Sequence, residues 1–73
     1  MSVDSRVFES SNIATGTYDD DKKELTIGFN NGGVYKYSDV PIDIWHGLTQ
    51  ASSVGSYFHS HIRSGGFDYE RIN

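Results

Sequence analysis

The side chains able to ligate or react are few in this chain: His46, His59, His61, a scatter of serines, the pair Tyr35 and Tyr37, and the arginines Arg63 and Arg71. His59 and His61, with His46 as a third ligand, would suit a metal ion. On a helix, however, residues two apart are separated by about 200° around the axis, so one ion is not held by both. No cysteine is present to complete such a site. The serines invite an acyl-transfer reading, but no Gly-x-Ser-x-Gly turn occurs and so short a chain scarcely encloses a substrate pocket. The expectation is no catalytic residue, no metal and no cofactor.

Binding chemistry is better represented. Aromatic side chains exposed on a sheet stack nucleobases, at about 1–3 kcal/mol per base. Against that use of Tyr35 and Tyr37, a domain poor in aliphatic residues needs its rings inside. The pair is therefore expected in the core, with Tyr35→Ala costing about 2–4 kcal/mol. Arg63, Arg71, His59 and Lys36 form a basic patch only if the fold gathers them, and that is the form in which an RNA-binding role survives. Asp19, Asp20 and Asp21 offer an acidic patch for a basic segment, although such a run is ordinarily a solvated turn and Lys22 and Lys23 dilute its field. The glycines of "GFNNGGVY" lie between two strand patterns with no helix start behind them, so they read as a turn and not as a phosphate cradle.

The elements that must position these groups fit in one small domain. The chain has 73 residues and ten aromatic side chains, 14 % of the total. Large rings burying about 150–250 Å² each make so short a chain foldable without disulfides. Its formal charge of −4 removes the counterion-release driving force that dominates autonomous nucleic-acid binding, and favours basic protein partners instead. No apolar run approaches the ~20 residues of a membrane span, and the N-terminus has no signal-peptide pattern. A cytoplasmic monomer without membrane contact is expected.

Residues 1–10 show no sustained period and are expected to form a flexible arm, with Val7 and Phe8 as anchors, ahead of a single domain over 11–73. "NIATGTY" is strand-like, "DDDKK" supplies a turn, and "ELTIGF" alternates so that Leu25, Ile27 and Phe29 share the inward face. "NNGG" accepts the positive φ of a hairpin loop, and Val34 to Tyr37 forms a third strand. Pro41 suits a first helical position, with Asp43 in the first turn and Ile44, Trp45, Leu48 and Ala51 on or beside one face. A serine of "SSVG" caps a second helix that turns Val54, Phe58, His61 and Ile62 inward and His59 and Arg63 outward, and "SGG" ends it. "FDYERI" reads equally as a closing strand or a packed tail. The predicted class is α+β: a three-stranded antiparallel meander packed against two short helices.

Several of these residues occur together in a known order. Ser11-Asn12-Ile13-Ala14, Tyr35-x-Tyr37, Val40-Pro41, Ala51-Ser52, Gly55-x-Tyr57-Phe58, His61-Ile62-Arg63 and Tyr69 resemble the pattern of the KTSC domain family, over about residues 11–72. That family is named for an appendage of some lysyl-tRNA synthetases and also occurs as small free-standing proteins. The resemblance implies an α+β domain, and the synthetase context implies contact with RNA. Val54 stands where the family pattern has a basic residue, which removes one phosphate-binding cation.

A domain of this length with its own arm also resembles small bacteriophage transcription regulators. That resemblance implies a non-enzymatic protein that binds the host's bacterial RNA polymerase, inhibits initiation and promotes antitermination. The surface expected to meet the partner comprises Arg6, Phe8 and Glu9 in the arm, Tyr18, Asp19 and Asp20 at the first turn, and His59 with Arg63 on the outer side of the second helix. The alternative is a small RNA-binding module like the synthetase-appended domain.

Overall fold

Period-two alternation and strong turns account for most of the sheet. A computed structural model describes residues 2–73. Strands β1 (Val3–Val7), β2 (Ile13–Asp19), β3 (Glu24–Phe29), β4 (Val34–Tyr37) and β5 (Tyr69–Arg71) form one antiparallel sheet in sequence order. Between β4 and β5 come α1 (Ile42–Gln50) and α2 (Val54–Tyr57), the latter running directly into a π-helical turn over Phe58–Arg63. These helices cover one face of the sheet. The class is α+β as expected, but the sheet has five strands and not three.

The two turns behave as their chemistry requires. In "DDDKK" the Asp19 carboxylate accepts from the amides of Asp21 and Lys22 at 3.0 and 3.3 Å, the side-chain to backbone bonding that makes Asp a turn residue. In "NNGG", Gly32 takes a φ of 94°, and the Asn31 side chain accepts from the Gly33 amide at 2.9 Å. The β3–β4 register pairs Leu25 with Tyr37 and Ile27 with Tyr35. Directly opposed residues share a face, so both tyrosines point to the helices.

The core is built from that face. Ile13, Leu25, Ile27, Val40, Leu48 and Ile62 are fully buried, and Trp45 is 2 % exposed. Trp45 stacks on Tyr18 with centroids 6.0 Å apart and meets Phe8 edge-on at 6.3 Å. Gly16 makes room for both rings: a Cβ there would lie 2.8 Å from Phe8 and 3.0 Å from Trp45. Pro41 is the N-cap of α1 and not its first helical residue, one position from expectation. Ser53 caps α2, accepting from the Ser56 amide at 3.4 Å. Phe58 and Ile62 turn inward, but His61 is exposed and stacks on Tyr57 at 4.1 Å. The wider π turn rotates His61 away from the face that simple helical spacing assigns to it.

Within the segment expected to be a flexible arm, Val3–Val7 is a strand in this structure. Val3–Val7 pairs along the length of β2, from Val3 opposite Asp19 to Val7 opposite Thr15. Its lack of an apolar period has a physical cause. Asp4 and Arg6 occupy the positions on the helix-covered side, at the margin of that cover, while Val3 and Val7 project exposed from the open face. Asp4 earns its place by accepting a hydrogen bond from the indole Nε1 of Trp45 at 3.0 Å, and it pairs with Arg6 at 3.4 Å.

That bond holds the Asp4 carboxyl below its usual value, with the Arg6 charge contributing and desolvation opposing. A depressed carboxylate stabilises the fold above its unfolded pKa and loses that contribution as pH falls through the folded pKa. Thermal melts should show an acid-side loss of stability below about pH 4 that is shallower in Asp4→Asn than in the parent. Identical acid limbs would separate Asp4 from the attachment of β1.

Tyr18 was expected to meet a partner, and the structure places it in the core. It stands opposite Leu25 on the covered face, is 2 % exposed, and its hydroxyl donates to the main-chain oxygen of Val40. Burial, then the nearby Asp20 and Asp19 charges, push its phenol pKa up. Tyr18→Phe keeps the ring but orphans the Val40 carbonyl, so chemical denaturation should report a loss of about 1–3 kcal/mol. An unchanged midpoint would mean that water replaces the hydroxyl.

Candidate ligand groove

Where β4 and β5 meet the π turn, the covered face opens into a groove of about 460 Å³. Each wall has a clear origin. Alternation brings Phe29, Tyr35 and Tyr37 from the β3–β4 hairpin; β5 adds Tyr69 opposite Tyr37 and Arg71 opposite Tyr35. The π turn contributes Phe58 to the floor and His59 and Arg63 to the rim, and Asn12 and Asn31 reach in from the loops beside β2 and β3.

The rings form a connected array. Phe29 meets Tyr35 edge-on at 5.7 Å and Phe58 at 5.4 Å. Tyr69 lies 5.9 Å from Tyr35 and 5.5 Å from Tyr37, both tilted. Tyr37, 6 % exposed, belongs to the core, whereas Tyr69 is 63 % exposed. Tyr35 lies between these extremes, packed against the core but partly open. The Arg71 guanidinium stands 5.9 Å over the Tyr35 ring, within cation–π range. Burial pushes the Tyr37 phenol pKa up, Tyr69 and Tyr35 add to it, and the Arg63 charge opposes them.

The groove's charge departs from that of the chain. Lys36 projects from the open face of the sheet, where Glu70 and Glu24 lie 3.3 and 3.7 Å from its ammonium and raise its pKa, the Glu70 hydrogen bond most. Arg6 is engaged by Asp4. Among the described residues neither Arg63 nor Arg71 pairs with a side-chain carboxylate, and no carboxylate lines the groove. Arg71 Nε donates to the main-chain oxygen of Asn73 at 2.7 Å.

A second, shallower cleft adjoins the groove through Asn12 and His59. Glu9 lies along it, with Ser10, Ser53, Ser56 and Ser60.

The structure thus divides the residues expected at a partner surface. His59 and Arg63 border the aromatic groove, and Glu9 shares the serine cleft with His59. Phe8 is half-buried against Trp45, and Arg6 lies on β1 opposite Gly16. Asp19 and Asp20 stand at the far end of β2 from Asn12, about 20 Å away at strand rise. Of the four residues expected to form a basic patch, Arg63, Arg71 and His59 come together and Lys36 does not. Sequence reasoning missed Asn12, Asn31, Phe29 and Tyr69 as groove residues. A β5 pairing would have exposed Tyr69, because it places that ring beside Tyr37.

The KTSC domain profile matches residues 9–67, and the chain belongs to the KTSC domain family. Its similarity extends to a lysine–tRNA ligase of Trichormus variabilis, 38 % identical over 65 residues that make up 89 % of this chain and 11 % of the ligase. The chain therefore spans about a tenth of the length of the ligases it matches. An uncharacterized protein of Stutzerimonas stutzeri is 29 % identical over 66 residues, 90 % of this chain and 93 % of that one. The crystal structure of a KTSC domain protein from Yersinia pestis superposes with a TM-score of 0.89 at 30 % identity, covering 99 % of this chain and all of the other. No helix is long and apolar enough to cross a membrane.

Proposed function

We propose that this chain is a non-enzymatic transcription regulator that binds bacterial RNA polymerase, inhibiting initiation and promoting antitermination. The observation that carries the reading is the separation of charge on one rigid sheet. An acidic turn, Asp19 to Asp21, stands at one end, and an arginine-rimmed aromatic groove opens at the other. Such a bipolar surface suits a large partner with both basic and acidic elements, and its complementarity sets orientation as well as on-rate. The residues with perturbed pKa, Asp4, Tyr18, Lys36 and Tyr37, are spread over three strands, β1, β2 and β4.

The test is affinity capture from a bacterial lysate treated with nuclease. The reading requires that RNA polymerase subunits are retained, and that Asp19→Lys with Asp20→Lys weakens retention without altering the melt. Loss of all polymerase after nuclease treatment would sink it.

A second reading, an RNA-binding module, is favoured by one specific observation: Arg63, Arg71 and His59 converge on a groove lined by aromatic rings. The name of the lysine–tRNA ligase relatives is consistent with that reading. Filter binding of short oligoribonucleotides tests it directly.

A further inference from the structure

We propose that the aromatic groove is a single-nucleotide site, taking one nucleobase with its phosphate, either as a free nucleotide or as the end of a single RNA strand. The inference rests on the RNA-binding reading and narrows it to a footprint and a set of contacts.

The size of the groove, about 460 Å³, falls within the range of small-molecule pockets, about 300–1,000 Å³. Its floor and one wall are planar rings. Tyr69, 63 % exposed, presents an open surface on which a base can stack, which is favourable for any base and needs no hydrogen-bond match. The side-chain oxygens of Asn12 and Asn31 already accept from the Ser10 hydroxyl and the Gly33 amide at 3.0 and 2.9 Å, so these two groove residues offer their NH2 groups as donors of the kind that read base edges. Arg63 from the π turn and Arg71 from β5 both line the groove, each with the planar fork that holds phosphate.

Charge selects the ligand and limits its length. The chain carries ten Asp and Glu residues against six Lys and Arg, yet no carboxylate lines the groove. Among the described residues that line the groove and the adjoining cleft, the two arginines stand in the groove, and an anion is favoured there. Past Arg63 and Arg71 the next cleft offers serine hydroxyls and the Glu9 carboxylate, so a longer strand meets no further cation to hold its backbone. An acidic peptide would satisfy the arginines but would leave the open face of Tyr69 and the two amides without a planar partner.

The experiment is a titration of the full chain with 5′-AMP, 5′-UMP, a 5′-phosphorylated dinucleotide and a 5′-phosphorylated hexanucleotide, each at several salt concentrations. The expected result is that mononucleotides bind and displace the hexanucleotide, and that affinity levels off at the dinucleotide. One phosphate neutralised predicts a log–log salt slope of about −0.7 for single strands. Arg63→Ala and Arg71→Ala should each weaken 5′-AMP binding about tenfold or more, with melts like the parent because both side chains are exposed. Mononucleotide binding matched by the hexanucleotide would point to a free nucleotide as the ligand, and tighter dinucleotide binding to a strand end; either supports the site. Affinity that climbs with each added nucleotide, with a slope steeper than about −3, would overturn the single-nucleotide footprint and leave the RNA reading standing. Failure of every nucleotide to bind would overturn the RNA reading and the proposal together. Unchanged binding by both arginine variants would place the ligand elsewhere.

Discussion

Trp45→Ala should leave little folded protein at room temperature. Truncating a buried Trp costs about 3–5 kcal/mol, while a domain of this length has a total stability of roughly 4–11 kcal/mol. The position makes the upper part of that range the expected one. Trp45 ties α1 to the paired strands β1 and β2: it stacks on Tyr18 of β2, meets Phe8 after β1 and holds Asp4 of β1 by its indole nitrogen. Removing it opens a cavity, orphans the Asp4 contact and frees β1 together. Circular dichroism should show a lowered or absent melting transition. Trp45→Phe, which retains the ring stack and loses the hydrogen bond, should fall between. A Trp45→Ala protein melting within a few degrees of the parent would show that β1 and α1 are held by other contacts.

The second large effect separates the two tyrosines that sequence reasoning treats alike. Tyr37→Ala should cost about 3–5 kcal/mol as a buried aromatic truncation, since the ring is 6 % exposed and packs edge-on against Phe58 at 5.7 Å. Tyr35→Ala should cost less than the about 2–4 kcal/mol expected from sequence, because its ring is only half-buried and borders the open groove. Denaturant midpoints for the two variants, measured side by side, decide the matter. Equal losses would mean that the groove closes over Tyr35 in solution.

These cases also show what was legible in the chain before the structure. The hairpin from Leu25 to Tyr37 was readable because each signal in it is local: alternation places Leu25 and Ile27, and the Asn-Gly loop fixes the register. The inward face of Tyr35 and Tyr37 follows from the same register. β1 was not readable, since a strand whose covered positions are Asp4 and Arg6 carries no apolar period, and only the Trp45 indole explains Asp4. β5 has three exposed residues, too few for a pattern. The candidate site was half legible. Charge reasoning assembled Arg63, Arg71 and His59, but the alternation of β4 that puts Tyr35 inward sends Lys36 to the opposite face. Tyr18 was misplaced because its proximity to the acidic turn in sequence hid its register with Leu25.

The topology of β5 has a further consequence. Its pairing with β4 bridges the whole helical segment, from Tyr37 to Tyr69, whereas the other ladders close over short turns. It is secured at its ends by the Ser38 amide bonded to Asp68, the Ile72 amide bonded to Val34 and the Asn73 side chain bonded to Gly32, at 2.9, 2.9 and 3.0 Å. The entropy cost of closing a loop grows with its length, so the ladder that carries Tyr69 and Arg71 has the largest closure cost in the sheet, and the groove requires that ladder to be closed. Measured affinity is the intrinsic affinity scaled by the fraction of molecules in which it is closed. Asn73→Ala, which removes the side-chain bond to Gly32, or Ser38→Pro, which removes the amide donor to Asp68, should then weaken binding of the proposed ligand without touching it, and that ligand should in turn protect the C-terminal strand against exchange and proteolysis.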